Sequence, residues 1–178
     1  KVDSIKGLTL SERDYITIAS ELALRGKDDN QKILTAQLDR ISNPDRKARF
    51  EFIIPSLSND SNVRDNFFEL IKKEEKREVE PWVQSAVAYL HHPLRSKEAE
   101  KYIRPSLELL EEVQRTGDIF FPARFINATL SGHQSASARK IVNQFLDDYP
   151  NYSPPLKLKI LQAADNLFRA SIITEQDN

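Results

Sequence analysis

Apolar residues recur three and four positions apart along most of the chain, a spacing that predicts a succession of amphipathic helices. Ser11 is read as a cap for a helix carrying Tyr15, Ala19 and Leu22, ended by Gly26, and Leu34, Leu38 and Ile41 supply its partner between Gln31 and Ile41. Phe50, Ile53, Ile54 and Leu57 share a face after Pro44, and Val63, Phe67, Leu70 and Ile71 form the next stripe, with Ser61 read as its cap. Val83, Ala86, Val87 and Leu90 follow Pro81, and Ile103, Leu107, Leu110 and Val113 lie on a partner that begins at Ser96. A shorter run goes from Pro122 to about Leu130, with the turn at Gly132. Ser135 then opens a helix carrying Ala138, Ile141, Val142, Phe145 and Leu146, which Tyr149-Pro150 stops. Leu156, Ile160, Ala164, Leu167 and Phe168 mark the last helix. No stretch shows the sustained alternation of a strand, and no apolar run approaches the roughly 18 residues of a membrane span.

Prolines punctuate the pattern. Asn43-Pro44, Glu80-Pro81, Phe121-Pro122 and Ser153-Pro154 each precede a helical run, and proline suits a first helical turn because the N–H it lacks would be unpaired there. Asn43 and Ser153 add side-chain oxygens that accept from the first free amides. These starts recur at intervals of roughly 30 to 40 residues, the range of helix-pair repeats. The expected fold is therefore all-α, an α-α superhelix of antiparallel HEAT-like helix pairs over residues 1–178, with nine or ten helices curving right-handedly around a concave face. A plain helical bundle fits the same periodicity, and the repeat spacing favours the superhelix. Two details are expected locally: Pro105 should kink or break its helix, and Gly117 should end it as a left-handed cap.

Composition narrows the function classes. Lys and Arg total 26 against 27 Asp and Glu, closely interleaved as in Lys72-Lys73-Glu74-Glu75-Lys76-Arg77-Glu78. That balance lacks the basic footprint of a nucleic-acid binder, and no nucleic-acid partner is expected. The four glycines are too few for a β-rich chain or a glycine-rich phosphate cradle. The absence of cysteine removes disulfides, thiol nucleophiles and Cys-based zinc sites. The chain opens at Lys1 and contains no Met, which reads as a piece of a longer polypeptide or a processed product.

Candidate chemistry is sparse. The histidines are His91, His92 and His133, with no His-Glu-x-x-His spacing. His91-His92 reads as a helix C-terminal cap, where imidazole meets free carbonyls, and His133 as a turn residue. Most serines fall at helix caps, Gly-x-Ser-x-Gly is absent, and the carboxylates lie on solvated faces such as Glu111-Glu112. The segment Gln114–Pro122 stands apart because Ile119, Phe120 and Phe121 crowd one helix joint. Inward packing between units is expected of them, with a cleft or docking role as the alternative.

Several segments carry a family resemblance: Asn43-Pro44-Asp45-Arg46, Leu90-His91-His92-Pro93-Leu94-Arg95, Tyr102–Leu110, Gly117-Asp118-Ile119-Phe120-Phe121-Pro122 and Leu161–Arg169. Together they resemble the C-terminal region of bacterial zinc aminopeptidases of the aminopeptidase N family, over roughly Ile41 to Arg169. The resemblance implies a superhelix of HEAT-like pairs that covers a thermolysin-like catalytic domain of the same polypeptide and helps enclose the chamber for a peptide substrate. It also implies that zinc and the catalytic residues belong to that other domain; no catalytic or metal residue and no cofactor is carried over to this chain. Arg95, Arg115, Asp118 and His133 are the candidate substrate-binding groups, a guanidinium being suited to a peptide's terminal carboxylate; helix-end capping and surface pairing are the alternative for each and the reading preferred from the sequence. A free-standing scaffold for protein–protein interaction is the alternative function. Periplasmic, membrane-attached and cytoplasmic parents all fit the chain.

Because repeats contact mainly their neighbours, the isolated chain is expected to fold alone and to keep its helical circular dichroism in excess chelator. A large loss of helicity on chelation would reveal a structural metal and contradict this reading.

Overall fold

The computed structural model describes residues 7–26 and 28–176. Nine α-helices form among them, with no strand: α1 (Glu12–Arg25), α2 (Asn30–Arg40), α3 (Pro44–Leu57), α4 (Ser61–Ile71), α5 (Glu80–Leu90), α6 (Ser96–Thr116), α7 (Phe121–Leu130), α8 (Ala136–Asp148) and α9 (Pro154–Gln176). No helix is long and apolar enough to cross a membrane among the described residues.

Their starts follow from capping chemistry. Ser11 Oγ accepts from the Asp14 amide while the Asp14 carboxylate accepts from the Ser11 amide, a reciprocal box that satisfies two otherwise free donors. Asn43 accepts from the Arg46 amide at 3.0 Å ahead of Pro44, and Ser135 accepts from the Ala138 amide at 3.1 Å. The cap of α4 is Asp60, one residue before the serine expected there, with its carboxylate accepting from the Asn62 amide.

The helices pair and stack as an α-α superhelix. In one row α1, α3, α5, α7 and α9 pack in succession; α2, α4, α6 and α8 occupy the other. Phe50, Leu57, Val87, Leu107, Phe125 and Ile160 are sealed between the rows, each such burial contributing about 1.5–3 kcal/mol. Two expected stripes shift. On α1 Leu22 faces outward and Ala19, Ser20, Ala23 and Leu24 are buried; on α4 Val63 and Leu70 are exposed while Phe67, Phe68 and Ile71 are buried. In both helices periodicity identifies an apolar face, but the neighbouring helix selects which edge of it is covered.

Helix α6 is not broken at Pro105 and continues from Ser96 to Thr116; the apolar face on both sides of the proline, including Ala99, Ile103, Leu107 and Val113, is buried and holds the helix together despite the missing amide. Two further expectations change. Gly117 is extended, at φ −100° and ψ 178°, so left-handed freedom is not its use. A Cβ there would lie 2.6 Å from the Phe121 ring and 2.9 Å from a Glu80 carboxylate oxygen, so close approach is what calls for glycine. At the same joint only Phe121 packs inward; Ile119 and Phe120 are 81% and 62% exposed.

Gly132 shows the same constraint in sharper form. A Cβ at Gly132 would sit 1.8 Å from the backbone oxygen of His91, where no side chain can yield. Gly132→Ala should therefore displace the turn between α7 and α8 and cost about 2–3 kcal/mol in urea unfolding. A change below about 0.5 kcal/mol would show that this contact is looser than the structure has it.

Candidate functional site

A concavity lies across the first three helices of the α1 row. Its volume is ≈ 680 Å³, within the range of small-ligand clefts. Helical spacing places its walls. Arg13, Ile16, Thr17, Ser20 and Glu21 line it from α1, and Arg46, Arg49, Phe50 and Ile53 from α3. Trp82, Ser85 and Tyr89 line it from α5, with His92 just past the end of that helix. The middle is apolar and aromatic, and the ends are charged. A second hollow of ≈ 510 Å³ adjoins it and shares Arg49, Trp82 and Ser85.

Arg49 stands at the division between these two hollows. Its guanidinium donates to Ser85 Oγ at 3.0 Å, and Ser85 in turn donates to the Pro81 carbonyl at 2.8 Å. Arg49 is exposed and donates to a neutral partner, and Asp45, one turn before it on α3, shares the lining of the groove. Arg46 is engaged: it donates to Glu12 at 2.8 Å, and Glu12 also accepts from the Ser42 amide. Those bonds, the Ser42 amide first and Arg46 second, hold the Glu12 carboxyl down at about 2. Their contribution to stability is present above the unfolded carboxylate range and fades as pH falls toward that value. At the far end Glu21 pairs with Arg25, and His92 Nε2 lies 3.6 Å from Glu21. Burial lowers the His92 pKa, partly opposed by Glu21.

The groove hydroxyls are bonded to carbonyls of their own helices, Thr17 to that of Arg13 at 3.1 Å. Ser20 donates its hydroxyl proton to the Ile16 carbonyl at 2.9 Å, as Ser85 does to Pro81. Among the described residues no cluster of three or more His, Asp or Glu side chains is placed to hold a metal ion. The arrangement is suited to binding: a guanidinium for an anion, aromatic rings for an apolar group, and hydroxyls for amide dipoles.

The four residues singled out from the sequence lie elsewhere. Arg95 is buried and donates to the Ser56 and Leu57 carbonyls at 3.2 and 2.9 Å and to the Asn59 side chain at 2.6 Å. Burial, with Arg64 nearby, pulls its pKa down to about 10, so it stays cationic at neutral pH. Arg115 is an exposed residue in the last turn of α6. Asp118 caps α7, accepting from the Phe120 and Phe121 amides at 2.6 and 2.8 Å; the Phe120 amide is the main reason its carboxyl titrates low. Its own amide donates to Glu80, whose carboxyl is pushed up chiefly by burial.

His133 is buried against His91, with His91 Nδ1 and His133 Nε2 2.8 Å apart. His91 does cap α5, through its backbone amide to the Val87 carbonyl, but its imidazole meets another imidazole and not the helix carbonyls. Sequence reading missed the groove because its residues come from three helices, each displaying an unremarkable polar flank. The one available signal was Trp82, an aromatic beside a helix start on a face that the core does not need.

No protein-family model, curated protein or solved structure matches the chain.

Arg95 supplies the test of this partition between structure and site. Arg95→Ala would strip donors from buried carbonyls and lower stability by about 2–4 kcal/mol in denaturant unfolding. At concentrations where the variant stays folded, ligand affinity of the groove should be unchanged; a stable variant with weakened binding would move Arg95 into the site.

Proposed function

We propose that this chain is the non-catalytic C-terminal helical-repeat domain of a zinc aminopeptidase of the aminopeptidase N family, closing the active-site chamber and contributing to peptide binding through the α1–α3–α5 groove. The observation that carries the reading is Arg49, a guanidinium anchored by a neutral hydroxyl between two hollows and flanked by Trp82. A peptide laid across this bridge sets an acidic group or its terminal carboxylate on Arg49. An apolar side chain then fills the space among Ile16, Phe50, Ile53 and Tyr89. The zinc and the groups that cleave the peptide come from the catalytic domain, which is the proposed partner within the same polypeptide.

One observation favours a second reading, a scaffold for another protein. Ile119 and Phe120 project from the α6–α7 joint, held in place by the Asp118 cap and with the Arg124 guanidinium 5.5 Å from the Phe120 ring centroid. Exposed, rigidly held aromatic residues of this kind serve as anchors at protein interfaces.

Calorimetric titration with short peptides, free or amidated at the carboxyl end, separates the possibilities. The groove reading predicts that Arg49→Ala weakens binding of an apolar, free-carboxylate peptide about tenfold and that amidation has the same effect without further loss in the variant. Trp82→Ala should weaken free and amidated peptides alike. Equal affinities for wild type and both variants would remove the groove from the account.

A further inference from the structure

The buried His91–His133 contact joins two repeats at the C-terminal end of α5. His91 caps the C-terminal end of α5, the helix that carries Trp82, Ser85 and Tyr89. His133 sits in the turn between α7 and α8. The two imidazoles are each 1% exposed, and their facing nitrogens are 2.8 Å apart. Two neutral rings share one hydrogen there. The outward nitrogens, His91 Nε2 and His133 Nδ1, are buried and meet no hydrogen-bond partner. Whichever tautomers are present, one of these is an N–H without an acceptor and the other a lone pair without a donor. A pair this poorly satisfied is retained at a cost, and such groups mark sites with a further role.

We propose that the His91–His133 pair is an acid-sensitive latch that holds the C-terminal end of α5 against the α7–α8 turn and releases it on protonation, so that the peptide groove loses one fixed wall. The structural half of this stands on the pair itself; its effect on peptide binding rests on the groove reading above.

The surroundings offer little to stabilise a proton. From α6, Tyr102 presents its ring to His91 with centroids 6.0 Å apart, while its hydroxyl is bonded to Asp65 of α4. Glu100, also on α6, acts on His133, but its carboxylate accepts from the Ser135 and Ser137 hydroxyls. Arg95, after α5, and Arg64, on α4, are turned toward carbonyls at the end of α3 and just beyond it, and His92 faces Glu21. The carbonyl end of α5 favours a cation, yet burial dominates: it lowers the pKa of both rings, and for His91 the second ring lowers it further. The unfolded or opened rings bind protons at a higher pH than the native pair does. Stability at this joint is therefore whole above the ordinary histidine pKa and falls as pH drops below it. A first proton leaves a buried charge with outward N–H groups unpaired. A second places two N–H groups face to face, and the contact cannot survive. Gly132, whose backbone is pressed on the His91 carbonyl, leaves no slack for the rings to separate without moving the turn.

Trp82 is the single tryptophan and lies on the same helix within the groove, so its emission reports the wall directly. On acidification from about pH 7.5 to about pH 5 its emission should shift while far-ultraviolet helicity persists. Amide protection around His91 and Gly132 should fall once the opened rings titrate, by up to roughly tenfold per pH unit for each ring that takes up a proton. His92→Gln should keep both changes, and His91→Gln combined with His133→Gln should abolish them. Persistence of both in a folded double variant overturns the latch. Should that variant not fold, histidine NMR on the wild type decides. Rings that take up protons in step with the emission shift support the latch. Rings that stay neutral to about pH 4, or titrate with emission and exchange unchanged, overturn it. Peptide binding at about pH 7.5 is read separately: its absence removes the groove reading alone, and a missing acid response removes the latch alone.

Discussion

The fold depends on satisfying helix C-terminal carbonyls that stacking removes from water. Each helix ends with acceptors that have no partner within the helix, and here long polar side chains from a neighbouring repeat reach back to supply the donors. Arg95 bonds the end of α3, and Asn30 joins the Ala23 carbonyl of α1 to the Leu57 carbonyl of α3. Arg77 bonds the Ile71 and Lys72 carbonyls of α4 and also meets Glu112 on α6. A further bond, from the Tyr152 hydroxyl to the Leu107 carbonyl, ties the segment after α8 to the middle of α6. The repeat length is visible in these ties: Asn59 reaches Gly26 across 33 residues, Arg64 reaches Glu98 across 34, and His91 meets His133 across 42. Apolar stacking brings the units together, and the directional bonds fix their register.

That register shapes the groove. Layers α3, α5 and α7 pack closely on one another, whereas α1 touches α3 more lightly and is tethered at its start by Glu12 to Ser42 and Arg46. The space left between α1 and its neighbours is the hollow that Arg49 and Trp82 overlook. The same staples that stabilise the array thus determine where a ligand can enter. The joint that His91 and His133 make lies at the C-terminal end of α5, the helix whose first turn carries Trp82.

The repeat architecture was legible in the sequence because its signals are local. Pro44, Ser11 and Ser135 do at their helix ends what their chemistry predicts, and the 3.6-residue period survives tertiary packing. What failed depended on neighbours. Gly117 is extended instead of left-handed, and the Phe121 ring and Glu80 carboxylate are what call for glycine there; Gly132 does sit in its expected turn, but its close neighbour is the His91 backbone. Ile119 and Phe120 read as core by composition, yet the Asp118 cap turns them outward while Phe121 fills the available space. Arg95 caps the end of α3 as helix-end capping would have it, but from a buried position, and His133 sits in its expected turn while forming half of a buried pair. The groove, assembled from Arg13 on α1, Arg49 on α3 and Trp82 on α5, has no local signature in one sequence.

The central functional claim concerns what this array is attached to, and the coding sequence directly upstream of Lys1 tests it most directly. The account predicts a reading frame that runs unbroken into this chain and encodes His-Glu-x-x-His followed at a distance by a further Glu. A start codon within a few residues of Lys1, or an unrelated domain in that position, would contradict the aminopeptidase assignment and leave a helical-repeat binding scaffold in its place.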